Sequence, residues 1–345
     1  MPLTNFTNEG KGMKNKIVQV PSIRSPITES PGFAKKELSD YKLDACGLCG
    51  FGCSYCSSNV GNYLRINRGN FADLTEQQLG QATLPADDPA LMFVWPDYLH
   101  QLKAQLSKKD KDWGAGRTLV YSMLTDGFSP ELITSGMTEA SMRMVLEQTE
   151  FRIRVLTKNA IVGARYWVNL FTEHSDRFVV GLSTGTLDDQ WAKRVEIGTP
   201  APTARLAALR KLQDAGIPTY GMLCPVFPDV LDSEQLEKLV DAVDPARVEH
   251  VWAEPYNDRH NWRAVRDGYQ PNSHGHKWLT EVYERGRKDL WSAYATELYT
   301  RLRNKAKREG WMYKLRYLLY EDQISKEDSR AFAGLGRASS NQARR

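Results

Sequence analysis

The sequence predicts an α/β protein, a partial (β/α)6 barrel of the TIM type built from parallel strands, with an inserted helical segment and C-terminal helices. Two observations carry this prediction. From about residue 117 to 254, short apolar runs alternate with stretches of helical period. Upstream, a first short strand leads into a loop crowded with cysteines. Repeated right-handed crossovers of such units close toward a partly open barrel, and reactive groups in such folds collect at the C-terminal ends of the strands.

The first strand is expected near Tyr41 to Ala45, with the cysteine loop at its end. Thr118 to Met123 reads as a buried strand, Glu139 to Gln148 as a helix, Phe151 to Thr157 as a strand and Ile161 to Phe171 as a helix. Phe178 to Ser183 is the next strand, followed by a helix from Thr203 to Ala215 that stops at Gly216. Pro218 to Cys224 and Val248 to Glu254 are strands on either side of a helix from Ser233 to Val243. Residues 57–116 exceed what one crossover needs and predict a helical insertion, with Tyr98 to Lys108 as its clearest helix. The barrel is expected to span 39–260, preceded by an extended basic arm over 1–38, as a mobile terminus or a strap. A helical extension follows over 261–328, including one long helix from Lys277 to Arg308 with Trp291, Tyr294, Leu298 and Leu302 on one stripe. Residues 329–345, rich in Ala, Gly, Ser and Arg, predict a disordered tail.

Lys and Arg number 46 against 42 Asp and Glu, so a net charge of +4 does not by itself announce a nucleic-acid binder. Of the five cysteines, four lie in one loop and Cys224 stands alone, which is no disulfide framework and fits a reducing cytoplasm. No apolar run approaches the ~18 residues of a membrane span, and a soluble monomer is expected.

The loop reads Cys46-Gly-Leu-Cys49-Gly-Phe-Gly-Cys53-Ser-Tyr-Cys56. Its last three cysteines are spaced to place three thiolates on three irons of a 4Fe-4S cube, leaving the fourth iron open to a substrate or cofactor. Gly50 and Gly52 let the backbone wrap closely. With Cys46 counted, a tetrahedral zinc site is the alternative, although zinc ribbons separate their cysteine pairs by about 15 to 20 residues. Cys46 is then a loop or strand-end thiol outside the ligand set.

This arrangement resembles the signature of the radical S-adenosylmethionine enzymes, with Tyr55 where that superfamily has an aromatic residue. Over roughly residues 40 to 260 the chain is similar to the spore photoproduct lyase branch, which includes proteins loosely called DNA repair photolyases. The resemblance implies a 4Fe-4S cluster on Cys49, Cys53 and Cys56, whose open iron chelates S-adenosyl-L-methionine for reductive cleavage to a 5'-deoxyadenosyl radical. It also implies that Asp126, ending Ser122-Met-Leu-Thr-Asp126, accepts from the cofactor's amino group; capping the next helix is the alternative. Lys158, of the Thr157-Lys158 pair, would neutralise the cofactor carboxylate, and Ser183 would hydrogen-bond the cofactor. The run from Glu196 to Arg205 matches a branch-specific Glu, Gly-Thr, Arg pattern, whose Glu196 and Arg205 border the cofactor or organise the loop as a structural pair. Two positions depart from the lesion-repairing members. Met123 stands where they have a hydrogen-donor cysteine, and Ser57 where they have a tyrosine, so repair of the spore lesion is not expected. Cys224 is a candidate substitute donor, with a buried apolar thiol as the alternative.

These residues imply a lyase or transferase that modifies or repairs a nucleobase in DNA or RNA, fed by an electron donor such as flavodoxin or ferredoxin. Local support for nucleic acid is the run Arg301, Arg303, Lys305, Lys307, Arg308, Trp311, Tyr313, Lys314, Arg316 and Tyr317, where cations alternate with rings. A peptide or small-metabolite substrate for the same chemistry, and a zinc-stabilised, non-catalytic nucleic-acid-binding protein, are the competing readings.

Overall fold

A computed structural model describes residues 14–21, 23–60, 68–231, 234–257, 260–318 and 323–334. In chain order the strands are β1 (Lys16–Gln19), β2 (Ile27–Glu29), β3 (Tyr41–Leu43), β4 (Leu48–Cys49), β5 (Leu91–Val94), β6 (Thr118–Tyr121), β7 (Arg152–Thr157), β8 (Phe178–Ser183), β9 (Thr219–Val226), β10 (Val251–Pro255) and β11 (Leu315–Tyr317). The helices are α1 (Pro31–Ala34), α2 (Arg68–Leu79), α3 (Tyr98–Leu106), α4 (Pro130–Thr134), α5 (Met137–Gln148), α6 (Arg165–Glu173), α7 (Asp189–Val195), α8 (Pro202–Asp214), α9 (Pro228–Leu231), α10 (Gln235–Val243), α11 (Trp262–Asp267), α12 (His274–Leu279), α13 (Lys288–Arg308) and α14 (Lys326–Gly334).

The main sheet has the order β11-β10-β9-β8-β7-β6-β3-β2, parallel throughout except for β2, which runs antiparallel to β3. Strands buried on both faces need near-continuous apolar runs, and the residues of β8 and nearly all of β9 are buried. Alternate residues serve two cores. Ile153, Val155, Val180, Leu182 and Leu223 face the main core with the crossover helices. Val179, Tyr220, Met222 and Trp252 form an interior cluster, against which Met123, Leu156 and Cys224 pack. The sheet is thus a curled, open barrel whose edges are β2 and β11.

The segment from α1 to Leu38 stoppers the barrel at the N-terminal ends of its strands. Leu38 is fully buried in the interior cluster and Phe33 packs against it. The backbone here caps polar groups from across the barrel: Arg154 donates to the Leu38 carbonyl, and Trp252 Nε1 donates to the Lys36 carbonyl at 3.1 Å. Arg154 also lies over the Trp252 ring at 4.7 Å, and Arg316 of β11 donates to Glu37 at 2.6 Å. These bonds tie β7, β10 and the edge strand β11 to one segment.

The six expected parallel strands are present, at bounds shifted by a few residues, and the architecture differs from expectation in four places. Of the expected N-terminal arm, residues 1–13, with Lys11, lie outside the described residues; the rest supplies β1, β2 and the stopper, because Val18, Ile27 and Leu38 bury their side chains. The insertion is not helical alone, since β5 is the centre of a second sheet, β1-β5-β4. The long helix is broken: a wide turn over Thr280–Glu284 follows α12, and Gly286, at φ +72°, ends it before α13 begins. The stripe of Trp291, Tyr294, Leu298 and Leu302 is core, as helical period favours. The expected tail begins inside α14, and residues 335–345 lie outside the described residues. No helix among the described residues is long and apolar enough to cross a membrane.

Candidate active site

Cys49 ends β4, and the loop beyond it turns through Gly50 and Gly52 with φ of +71° and +60°. A side chain at Gly52 would lie 2.5 Å from Pro89 Cβ and 2.7 Å from the Pro89 carbonyl, so glycine is required there by space as well as conformation. The loop is clamped onto the turn before α8. Cys53 pairs with Glu196 in a single antiparallel bridge, Ser54 N donates to Val195 O at 2.7 Å, and Gly198 N donates to Phe51 O at 2.9 Å. Asn59 Nδ2 holds the Cys53 carbonyl at 3.2 Å and Asn261 Nδ2 the Cys56 carbonyl at 2.9 Å. Cys46 is fully buried, with the Thr125 side chain beside its thiol.

Burial, reinforced by the other thiols, pushes the Cys49 and Cys53 thiols well above their ordinary range; Lys158 opposes this at Cys53. A bound cation would favour the thiolate form of such a set, so metal loading there would be coupled to proton release. Among the described residues no three His, Cys, Asp or Glu side chains gather closely enough to hold a single metal ion. Cluster ligands bind separate irons and need not meet at a point, so Cys49, Cys53 and Cys56 fit a 4Fe-4S group.

Opposite the loop stand the ends of β6 and β7. Asp126 is buried and its carboxylate is filled by the chain's own donors: Phe128 N at 2.9 Å, Thr157 Oγ1 at 2.7 Å and Lys158 N at 2.7 Å. It staples β6 to β7 and turns its own loop instead of capping the next helix. Asp44 does the same between β3 and β6, accepting from Leu124 N at 2.8 Å and Thr125 N at 3.2 Å. Burial raises both carboxyls against these bonds. Between them Ser122 has φ +66° and a buried hydroxyl with no hydrogen-bond partner among the described residues.

Lys158 leaves this staple with its side chain half-buried and its Nζ 5.5 Å from the Tyr55 ring centroid. Burial works against its charge, yet Cys53, Glu196 and Cys224 together hold the ammonium above its ordinary value. It has no ion-pair partner among the described residues. Glu196 and Arg205 form a buried ion pair, with side chains 3% and 1% exposed. Arg205 also donates to Pro200 O at 2.8 Å, Ser183 O at 3.1 Å and Thr199 Oγ1 at 2.5 Å, while Glu196 accepts from the Tyr55 hydroxyl. Burial opposes ionisation of Glu196, but Arg205, Lys158 and Tyr55 hold its carboxyl below the ordinary range. The Ser183 hydroxyl is turned onto the Cys224 carbonyl at 2.6 Å, and Cys224 Sγ donates to Glu254 at 2.8 Å.

The structure therefore brings Cys49, Cys53, Cys56, Tyr55, Lys158, Glu196, Arg205, Ser183 and Cys224 to one end of the barrel, with Asp126 engaged internally beside them. Sequence reasoning missed Asp44, Glu254 and Asn261. Glu254 had a usable signal, its position at a strand's C-terminal end; Asn261 had none. The basic run after Arg301 is mostly spent on the fold. Arg301 pairs with Glu237 at 2.7 Å, buried Lys305 with Asp241 at 2.6 Å and Glu309 at 2.8 Å, and Lys314 donates to Pro245 O at 2.8 Å. Trp311 is buried and Lys314 and Tyr317 are half-buried; among the described residues Arg303, half-buried, and the exposed Lys307 have no ion pair, and Tyr313 is exposed.

No protein-family model matches the chain. It is similar to an uncharacterised protein of Acidianus two-tailed virus, at 26% identity over 66% of this chain and 71% of the relative. An uncharacterised protein of Mycobacterium tuberculosis is 37% identical over 19% of this chain, which spans only a fifth of that relative. Among solved structures, a spore photoproduct lyase variant with bound AdoMet and dinucleoside spore photoproduct shares 15% identity at a TM-score of 0.45, covering 75% of this chain and 67% of that one. A tagged anSMEcpe with bound AdoMet shares 10% identity at 0.45, over 79% and 61%.

Proposed function

We propose that this chain is a radical S-adenosylmethionine enzyme with a 4Fe-4S cluster on Cys49, Cys53 and Cys56, acting on a nucleobase. The observation that carries the reading is the clamped three-cysteine loop facing Lys158, an ammonium with no ion-pair partner among the described residues. When bound, such a cluster supplies the electron for reductive cleavage of S-adenosylmethionine to a 5'-deoxyadenosyl radical. Lys158 offers its charge to the cofactor carboxylate, Tyr55 a ring and Ser183 a hydroxyl acceptor at the strand ends. Glu196 and Arg205 act by holding the loop and the end of β8 in register. Asp126 orients Lys158 through its backbone N–H. Cys224 is the candidate hydrogen donor, and a flavodoxin or ferredoxin the candidate electron donor.

A second reading, a peptide or small-metabolite substrate, is favoured by one observation: the basic run that would follow a phosphate backbone is largely engaged in ion pairs. One experiment serves both. Anaerobically purified, reduced protein is incubated with S-adenosylmethionine and either nucleic acids, nucleosides or peptides, and mass spectrometry follows 5'-deoxyadenosine and the modified substrate. A brown, iron-loaded protein that forms 5'-deoxyadenosine supports the enzyme. A colourless zinc protein that forms none points to the non-catalytic alternative.

A further inference from the structure

The ends of β9 and β10 bring together a thiol and a carboxylate on the inner face of the barrel. Cys224 Sγ lies 2.8 Å from Glu254 Oε2, and the Cys224 carbonyl is held by Ser183 Oγ at 2.6 Å, so both the side chain and its backbone are fixed. Among the described residues, the other charged or titratable groups facing this thiol are Lys158 just after β7, Glu196 before α8, Tyr220 of β9 and Tyr299 of α13.

We propose that Glu254 is a positioning residue that keeps Cys224 in its hydrogen-bearing thiol form, so that Cys224 can return a hydrogen atom to a carbon radical of the substrate. This rests on the radical reading above. A thiolate has no hydrogen to give, and an anion beside Glu254 would put two negative charges within hydrogen-bond distance of each other. Burial and Glu254 both push the thiol upward, with Lys158 the opposing influence. In the step itself the Cys224 S–H bond breaks homolytically and a C–H bond forms on the substrate carbon. The thiyl left on Cys224 takes one electron from the flavin or iron–sulfur donor protein and a proton from water, which restores the thiol.

The test begins on the whole 345-residue chain without added cofactor. Iodoacetamide labelling of Cys224 is followed by peptide mass spectrometry across a pH series in wild type, Glu254→Gln and Glu254→Asp. The glutamine variant should label several-fold faster at a fixed mildly alkaline pH, with its midpoint moved down, while the aspartate variant stays near wild type; an unmoved midpoint in Glu254→Gln overturns the proposal. Should the glutamine variant fail to fold by circular dichroism, the decision passes to the wild type turned over in D2O. Its product should carry one solvent deuterium that is lost in Cys224→Ala, and a deuterium-free wild-type product overturns the donor role. If wild type forms no 5'-deoxyadenosine at all, the radical reading has failed, and the labelling series alone decides whether Glu254 governs Cys224.

Discussion

Each cysteine of the loop has a distinct environment, and that difference sets the first expectation. Cys46 is sealed against Thr125, whereas Cys49, Cys53 and Cys56 share the clamped loop. Alanine at any of the last three should abolish iron binding and at Cys46 spare it, checked by iron content and visible absorption; equal loss in all four would refute the ligand assignment. Lys158→Ala should weaken S-adenosylmethionine binding by about 1.5 to 3 kcal/mol, the worth of a charge-assisted hydrogen bond, in an equilibrium titration. An unchanged dissociation constant would put the cofactor carboxylate elsewhere. The cysteine spacing was legible because it is local. Glu254 and Asn261 were not, because the atoms they bind lie 30 and 205 residues away.

The turn before α8 acts as a bracket between the cysteine loop and β8, and its strength lies in the Glu196–Arg205 pair. Arg205→Met should destabilise the fold by about 3 to 5 kcal/mol, since it leaves a buried carboxylate uncompensated; denaturant midpoints measure this. Because its partners hold the Glu196 carboxyl below the ordinary range, its contribution is present above the ordinary glutamate value and is lost as pH falls through the lowered one. The stability gap between wild type and Glu196→Gln should therefore shrink with acidification, and a gap constant with pH would show that the pair is not ionised. In α13, Lys305→Ala should lower stability while leaving any nucleic-acid affinity untouched at fixed salt, because its ammonium is already bound to Asp241 and Glu309. Parallel strands were readable from short apolar runs. The break before α13 was not, since apolar residues keep helical period on both sides of Gly286, and β5 was overlooked because its partners β1 and β4 come from distant segments.

At the scale of the molecule, the proposed radical chemistry is not expected to repair the spore thymine lesion efficiently: Ser57 is exposed, Met123 packs on the interior cluster, and neither carries an S–H or phenolic O–H, so hydrogen return would fall to Cys224. Assayed with the dinucleotide lesion, the reduced enzyme should cleave S-adenosylmethionine with little clean thymine; repeated turnover surviving in Cys224→Ala would refute this. The barrel as a class was legible, but its stopper was not, because nothing in residues 31–38 marks them as partners for Arg154 and Trp252. That stopper bars the end of the barrel remote from the cysteine loop: a molecule approaching Lys158 or Cys224 from there would first have to displace the buried Leu38.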